Sequence, residues 1–140
     1  DHMATERWAD YLRETFTTMS YAPIAFITGQ SGRNIKTMLN HSQMLFKQSH
    51  ERVGTGELNR MVQDALEKHP PPLTRRNKRP KVYYATQIAT QPPTIVMKCN
   101  NPGAFSPSYR RYLLGVLRDQ LRFGEVPIKL FMQKRSETER

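Results

Sequence analysis

The sequence predicts an α+β fold: an α-β-β-α-β unit with a three-stranded sheet, preceded by an incomplete α/β piece that reads helix, strand, helix. Three observations carry this. Val82, Tyr84, Thr86 and Ile88 alternate with Tyr83, Ala85, Gln87 and Ala89, and Ile95, Met97 and Cys99 alternate with Val96 and Lys98, the period of two that half-buried strands need. Gln91, Pro92 and Pro93 between the two runs can only bend the chain, so they form an antiparallel hairpin with one face free to take helices and the other partly wet. Further upstream, residues 22–28 (APIAFIT) are a continuous apolar run, as expected of a strand buried on both faces of an α/β sheet.

The elements follow in order. Thr5 is placed to cap a first helix whose Trp8, Tyr11, Leu12, Phe16 and Met19 fall on one face. After the apolar strand, Gly29, Gln30, Ser31 and Gly32 turn the chain into a second helix carrying Ile35, Met38, Leu39, Leu45 and Phe46. One parallel-type strand with two helices cannot bury itself, so residues 5–48 need a sheet supplied from elsewhere. Residues 49–56 read as a hinge, with Gly54 and Gly56 flanking Thr55. Leu58, Val62, Ala65 and Leu66 give the next helix its apolar stripe until Pro70, Pro71 and Pro72 end it. Beyond the hairpin, Ser106 caps a helix with Pro107 at its first position. Tyr109, Tyr112, Leu113, Val116, Leu117 and Leu121 form its buried stripe, and Gly124 is expected to stop it. Ile128, Leu130 and Met132 then alternate with Lys129, Phe131 and Gln133 in a last strand.

The net charge is +10 and the pI near 10.1, but the distribution is more informative than the sum. Residues 1–70 are neutral, with eight cations against eight acids. Residues 71–135 carry thirteen cations against Asp119 and Glu125 alone. Such one-sided charge in a compact segment attracts a polyanion, of which nucleic acid is the commonest. The expected phosphate-tracking edge is Arg75, Arg76, Lys78, Arg79 and Lys81, joined by Arg110 and Arg111 in the first turn of the helix capped by Ser106, with Arg118 further along it. Tyr83 and Tyr84 point to opposite faces, one toward the core and the other free to stack on a base. The single Cys excludes a disulfide framework, and no apolar run reaches the roughly 18 residues of a membrane span, so a soluble cytoplasmic protein with no membrane partner is expected.

Other chemistry is sparse. The histidines at 2, 41, 50 and 69 share no metal-type spacing with one another or with Cys99, which reads as an inert buried thiol, and no Ser, His and acid grouping suggests a nucleophile. Neither catalytic nor metal-binding residues are expected. Residues 27–36 (ITGQSGRNIK) resemble the G-x-x-G loop of KH domains, which clamps a nucleic-acid backbone. That loop joins two helices, however, whereas this one leaves an apolar strand, and a tight turn accounts for both glycines.

A wider resemblance covers residues 55–135. It is carried by Leu58-Asn59, His69-Pro70-Pro71-Pro72, Lys81 with Tyr83-Tyr84-Ala85-Thr86-Gln87, Pro93-Thr94, Asn100 with Pro102, Tyr109-Arg110-Arg111-Tyr112-Leu113, Leu117-Arg118 and Pro127-Ile128. In this order the residues resemble the C-terminal KH-like domain of the Der (EngA) GTPases, bacterial ribosome-assembly proteins with two tandem G domains. Upstream, YAPIAFITGQSG is similar to the strand and fifth guanine-nucleotide motif of the second G domain in that family, where a Ser-Ala pair presents backbone N–H to the base. Thr28-Gly29 stand at that pair and Gln30 follows, so Thr28, Gly29 and Gln30 are the expected remnant of a guanine-contact loop.

The resemblance implies two units, a C-terminal fragment of a P-loop GTPase domain in residues 1–50 and a KH-like domain in residues 51–140. It implies an RNA-binding and docking module acting in assembly of the large (50S) ribosomal subunit, with ribosomal RNA and the G domains of the same protein as partners. GTP and Mg²⁺ would serve the full-length protein and no cofactor this chain. No G-x-x-x-x-G-K-[ST], the loop that cradles phosphates, occurs in the sequence, so this chain alone is not expected to hydrolyse GTP. The competing reading is a protein-interaction module that packs on G domains and reports their nucleotide state without itself binding RNA.

Overall fold

The hairpin is the centre of the molecule, and the other elements of its unit assemble on it. In the computed structural model, which describes residues 2–139, the chain runs α1 (His2–Thr15), α2 (Ile35–Ser49), α3 (Thr55–Lys68), β1 (Val82–Ala89), β2 (Thr94–Cys99), α4 (Pro107–Gln120) and β3 (Lys129–Lys134). Short 3₁₀ turns lie at Thr17–Met19, Pro102–Ala104 and Glu137–Glu139. The sheet has the order β1-β2-β3, with β2 antiparallel to β1 and parallel to β3. A parallel pair needs a crossover, and α4 provides it. The expected α+β architecture with a three-stranded sheet is therefore what forms.

The core lies between the sheet and two helices. Leu58, Met61, Val62 and Ala65 of α3 and Tyr109, Leu113 and Leu117 of α4 meet Val82, Ala85, Ile95, Met97, Cys99, Ile128 and Met132 from the strands and the turn before β3. Each fully buried Leu or Met in such a cluster contributes about 1.5–3 kcal/mol. Ser106 caps α4 as its sequence predicts, its hydroxyl accepting from the Tyr109 N–H at 3.1 Å.

The period of two is less regular than the sequence suggests. The β1–β2 register shifts between Val82 and Tyr84 and again between Gln87 and Ala89. Such irregularities re-aim side chains. Val82 and Ala85 are consequently buried, Tyr83 is 39% exposed and Tyr84 is half-buried, so neither tyrosine joins the core as one of them was expected to. On the central strand, Val96 alternates with Met97 yet is only 3% exposed, with Thr86 and Phe131 as its cross-strand neighbours.

Gly124 does not stop α4, which ends four residues earlier at Gln120, where Leu121 turns extended. Its role is close approach. A Cβ on Gly124 would lie 2.3 Å from the Arg118 carbonyl oxygen, so only glycine lets the returning loop pack on the helix.

The first fifty residues depart further from expectation. Helix α1 starts at His2, so Thr5 lies inside it rather than capping it. Residues 22–27 form neither helix nor strand, are mostly half-buried and join no sheet, and the nearest ladder-like contact is an isolated bridge between Thr28 and Arg33. A strand exists through the hydrogen bonds of its neighbours, and no sheet strand lies beside this segment among the described residues.

Candidate nucleic-acid interface

The site is built by the two segments that flank the open end of the hairpin. On one side, residues 74–78 close into a tight loop. Thr74 N donates to Lys78 O (2.8 Å), Asn77 N to Thr74 O (2.9 Å) and Lys78 N to the Thr74 hydroxyl (3.2 Å). Asn77 sits at φ 58°, a left-handed conformation that asparagine tolerates better than most residues. The turn leaves Arg75, Arg76 and Lys78 exposed. On the other side, residues 100–104 leave β2 and coil into the 3₁₀ turn. Asn100 ties the two sides together: its Oδ1 accepts from Lys81 N at 2.9 Å and its own N–H donates to Lys81 O at 3.1 Å.

Between these segments lies a cleft of about 640 Å³. Its cations are Arg75, Arg76, Lys78, Arg79 and Lys134, with Thr74, Asn100 and Asn101 as polar partners. Among the described residues no carboxylate lines it. Four of the eight expected cations thus come together, and a fifth, Lys134, escaped the sequence reading. Its signal lay in the register, since Lys134 pairs with Cys99 and therefore stands beside the residues that open the second wall.

The remaining expected residues have other positions. Lys81 is exposed just beyond the cleft, on the wall of a neighbouring depression. Arg110 does not face solvent freely: its Nη2 donates to Pro102 O at 2.8 Å and its Nε to Phe105 O at 3.2 Å, which braces the loop forming the second wall. Arg111 is exposed and reaches the Ser108 hydroxyl at 3.3 Å. Arg118 lies elsewhere. Its Nη1 donates to Gly124 O (2.8 Å) and Val126 O (2.7 Å), and its guanidinium stacks 3.5 Å from the centre of the Tyr21 ring. Burial pulls its pKa down, offset in part by Tyr21, and the contacts are those of a side chain holding loops together.

Thr28, Gly29 and Gln30 are exposed and line no part of the cleft. Their loop is closed by Thr28 N to Arg33 O (3.1 Å), Gly32 N to Thr28 O (2.9 Å) and Asn34 Nδ2 to Phe26 O (2.9 Å). The Thr28 N–H, one of the backbone donors expected for a guanine edge, is therefore already engaged within the loop. The loop joins an irregular segment to α2 rather than two helices, unlike a G-x-x-G clamp. Cys99 is buried, its thiol 3.4 Å from Gln133 O, and burial pushes its pKa up, so it is a poor nucleophile. Among the described residues, no three His, Cys, Asp or Glu side chains gather as a metal site requires, and no helix is long and apolar enough to cross a membrane.

A three-stranded mixed sheet backed by two helices, with a basic cleft at the open end of its hairpin, defines a KH-like unit. The profile described as the KH-domain-like C-terminal domain of EngA bacterial GTPase enzymes matches residues 52–133. The chain belongs to that family. It is 59% identical over 135 residues to a GTPase Der of Rhodopirellula baltica, covering 96% of this chain and 30% of that protein. Relatives named GTPase Der from Syntrophobacter fumaroxidans and Natranaerobius thermophilus are 38% and 36% identical, over 99% and 93% of this chain and 31% and 29% of their own lengths. The chain thus spans about a third of the relatives it matches.

Proposed function

We propose that this chain is the RNA-binding and docking module of a Der-like GTPase that acts in assembly of the large ribosomal subunit. The observation that carries the reading is the cleft: five cations from residues 75–79 and β3 face one trough that no acid shares among the described residues. Phosphate contact falls to Arg75, Arg76, Lys78, Arg79 and Lys134, with Lys81 and Arg111 at the margins and Arg110 bracing the wall. Residues 51–140 are the KH-like domain and residues 1–50 the end of a G domain, whose base-edge loop is Thr28, Gly29 and Gln30. The chain carries no sequence for cradling phosphates, so by itself it hydrolyses no GTP.

Counterion release tests this. With about five phosphates neutralised, the logarithm of the affinity for a short single-stranded RNA should fall with the logarithm of salt at a slope of roughly −3.5. Replacing Arg75, Arg76 and Lys78 together by Ala should flatten the slope by about 2 and weaken all sequences alike. Binding that ignores salt, or an unchanged slope in the triple variant, would overturn the reading. A specific feature supports the rival protein-docking role beside it: Trp8, Tyr11, Phe16 and Met19 are each more than half exposed, an apolar face suited to the rest of a G domain.

A further inference from the structure

Beside the phosphate cleft lies a second depression of about 390 Å³, and the two share Arg79 and Pro80 as a common wall. Its character is different. Leu66, Pro70, Pro71 and Val82 make most of its surface apolar, and the ring of Tyr83 borders it. The guanidinium of Arg135 lies 3.7 Å from the centre of that ring, and Arg135 is itself fixed by its N–H donating to Cys99 O at 3.0 Å. Tyr83 is thus held in place, yet remains 39% exposed. Arg135 directly follows Lys134 of the cleft, so the stacked pair stands where the phosphate track leaves the trough.

We infer that this depression is a nucleobase pocket, in which a base of the strand bound in the cleft stacks at Tyr83. The inference rests on the cleft as a phosphate site. An apolar hollow with an aromatic wall, adjoining cations that would hold the backbone, is the arrangement with which proteins take single-stranded nucleic acid. The pocket also carries a carboxylate, Glu67. With Arg79 and Lys81 on the rim toward the cleft, that carboxylate is the acceptor of the hollow, and a base with an exocyclic amino group can donate to it, as cytosine does through N4. Gln63 Nε2 commits one of its two hydrogens to Val82 O at 3.2 Å, which fixes the amide against β1. The pocket accordingly selects single-stranded RNA over duplex, whose bases are stacked away, and cytosine over uracil.

The test is fluorescence anisotropy of the 140-residue chain with labelled oligocytidine, oligouridine and an RNA duplex. Tyr83→Ala should weaken oligocytidine binding by about 5- to 100-fold, the range for loss of one stacked base, while leaving the salt slope as it is, and Tyr83→Phe should restore affinity. Glu67→Ala alters only an exposed side chain and should abolish an oligocytidine preference of about fivefold over oligouridine. Native affinity in Tyr83→Ala, equal binding of duplex, or a pyrimidine preference untouched by Glu67→Ala would overturn the pocket. If the triple variant of Arg75, Arg76 and Lys78 still flattens the slope in that case, the cleft stands without it. Absence of binding to any of the three RNAs would remove both.

Discussion

Tyr109 ties the start of α4 to the end of α3. Its N–H completes the Ser106 cap, its ring packs between Phe105 and Tyr112 with centroids 6.0 and 5.5 Å away, and its hydroxyl donates to His69 O at 2.7 Å, where α3 ends. Burial, with the neighbouring Tyr112 adding to it, pushes the phenol up to about 12. The fold therefore favours the protonated form. Its contribution is complete below the unfolded pKa of about 10 and is lost as pH rises through about 12, a change of about 3 kcal/mol. Tyr109→Phe removes the proton together with the hydrogen bond, at a cost of about 1 kcal/mol at neutral pH. Urea unfolding followed across the alkaline range should show native stability falling more steeply than that of the variant. Parallel curves would mean that Tyr109 does not couple folding to alkaline pH.

At the scale of elements, β1 is an edge strand that needs protection, and α3 provides it with amide side chains. Asn59 Oδ1 accepts from Ala85 N at 2.8 Å and Nδ2 donates to Ala85 O at 2.9 Å, so a side chain takes the place of a fourth strand. Nearby, Gln87 Oε1 accepts from Val53 N at 2.9 Å and its Nε2 donates to Glu51 O at 3.0 Å, tying the approach to α3 onto the same edge. Asn59→Ala should cost about 2–4 kcal/mol in denaturant unfolding, because a backbone pair is left without partners where water reaches it poorly. A loss below about 0.5 kcal/mol would show that water replaces the amide. None of this pairing has a periodicity: the apolar stripe of α3 marks Leu58 as core and gives Asn59 no task. The same limit explains Arg118. Its position on the basic helix suggested phosphate, but its partners are carbonyls aimed by the loop that Gly124 lets pack close, and loop conformation leaves no regular pattern. Elements with their own local signal, such as the Ser106-Pro107 start and the alternation of β3, were legible. The strand expected at residues 22–28 was not, since its apolar run describes a burial that only neighbouring strands can complete.

On the scale of the whole molecule, two kinds of packing coexist in one chain. Residues 55–135 enclose the core, whereas α1 has no buried residue and turns Trp8, Tyr11, Phe16 and Met19 outward. The first fifty residues are nonetheless attached at defined points. Tyr21 stacks under Arg118; Gln48 and Glu125 exchange two hydrogen bonds at 3.0 and 3.1 Å; and Gln91 N donates to Ser49 O at 2.9 Å. Leu45 also packs against the core from α2. These attachments gather on the second half of α2 and on residue 21, so α1 and the loop at residues 28–33 derive little from them. Local opening is cheap where few apolar contacts are lost. Amide hydrogen exchange should therefore show slow exchange across α3, α4 and the sheet, intermediate exchange at the end of α2, and fast exchange in α1 and residues 22–33. Arg118→Ala should raise exchange selectively around Tyr21 and in the Gly124 loop, since both lose the guanidinium that holds them. Uniform protection of α1 and α4 would contradict this division, and would mean that the exposed aromatic face of α1 already has a partner, such as a second copy of the chain, in solution.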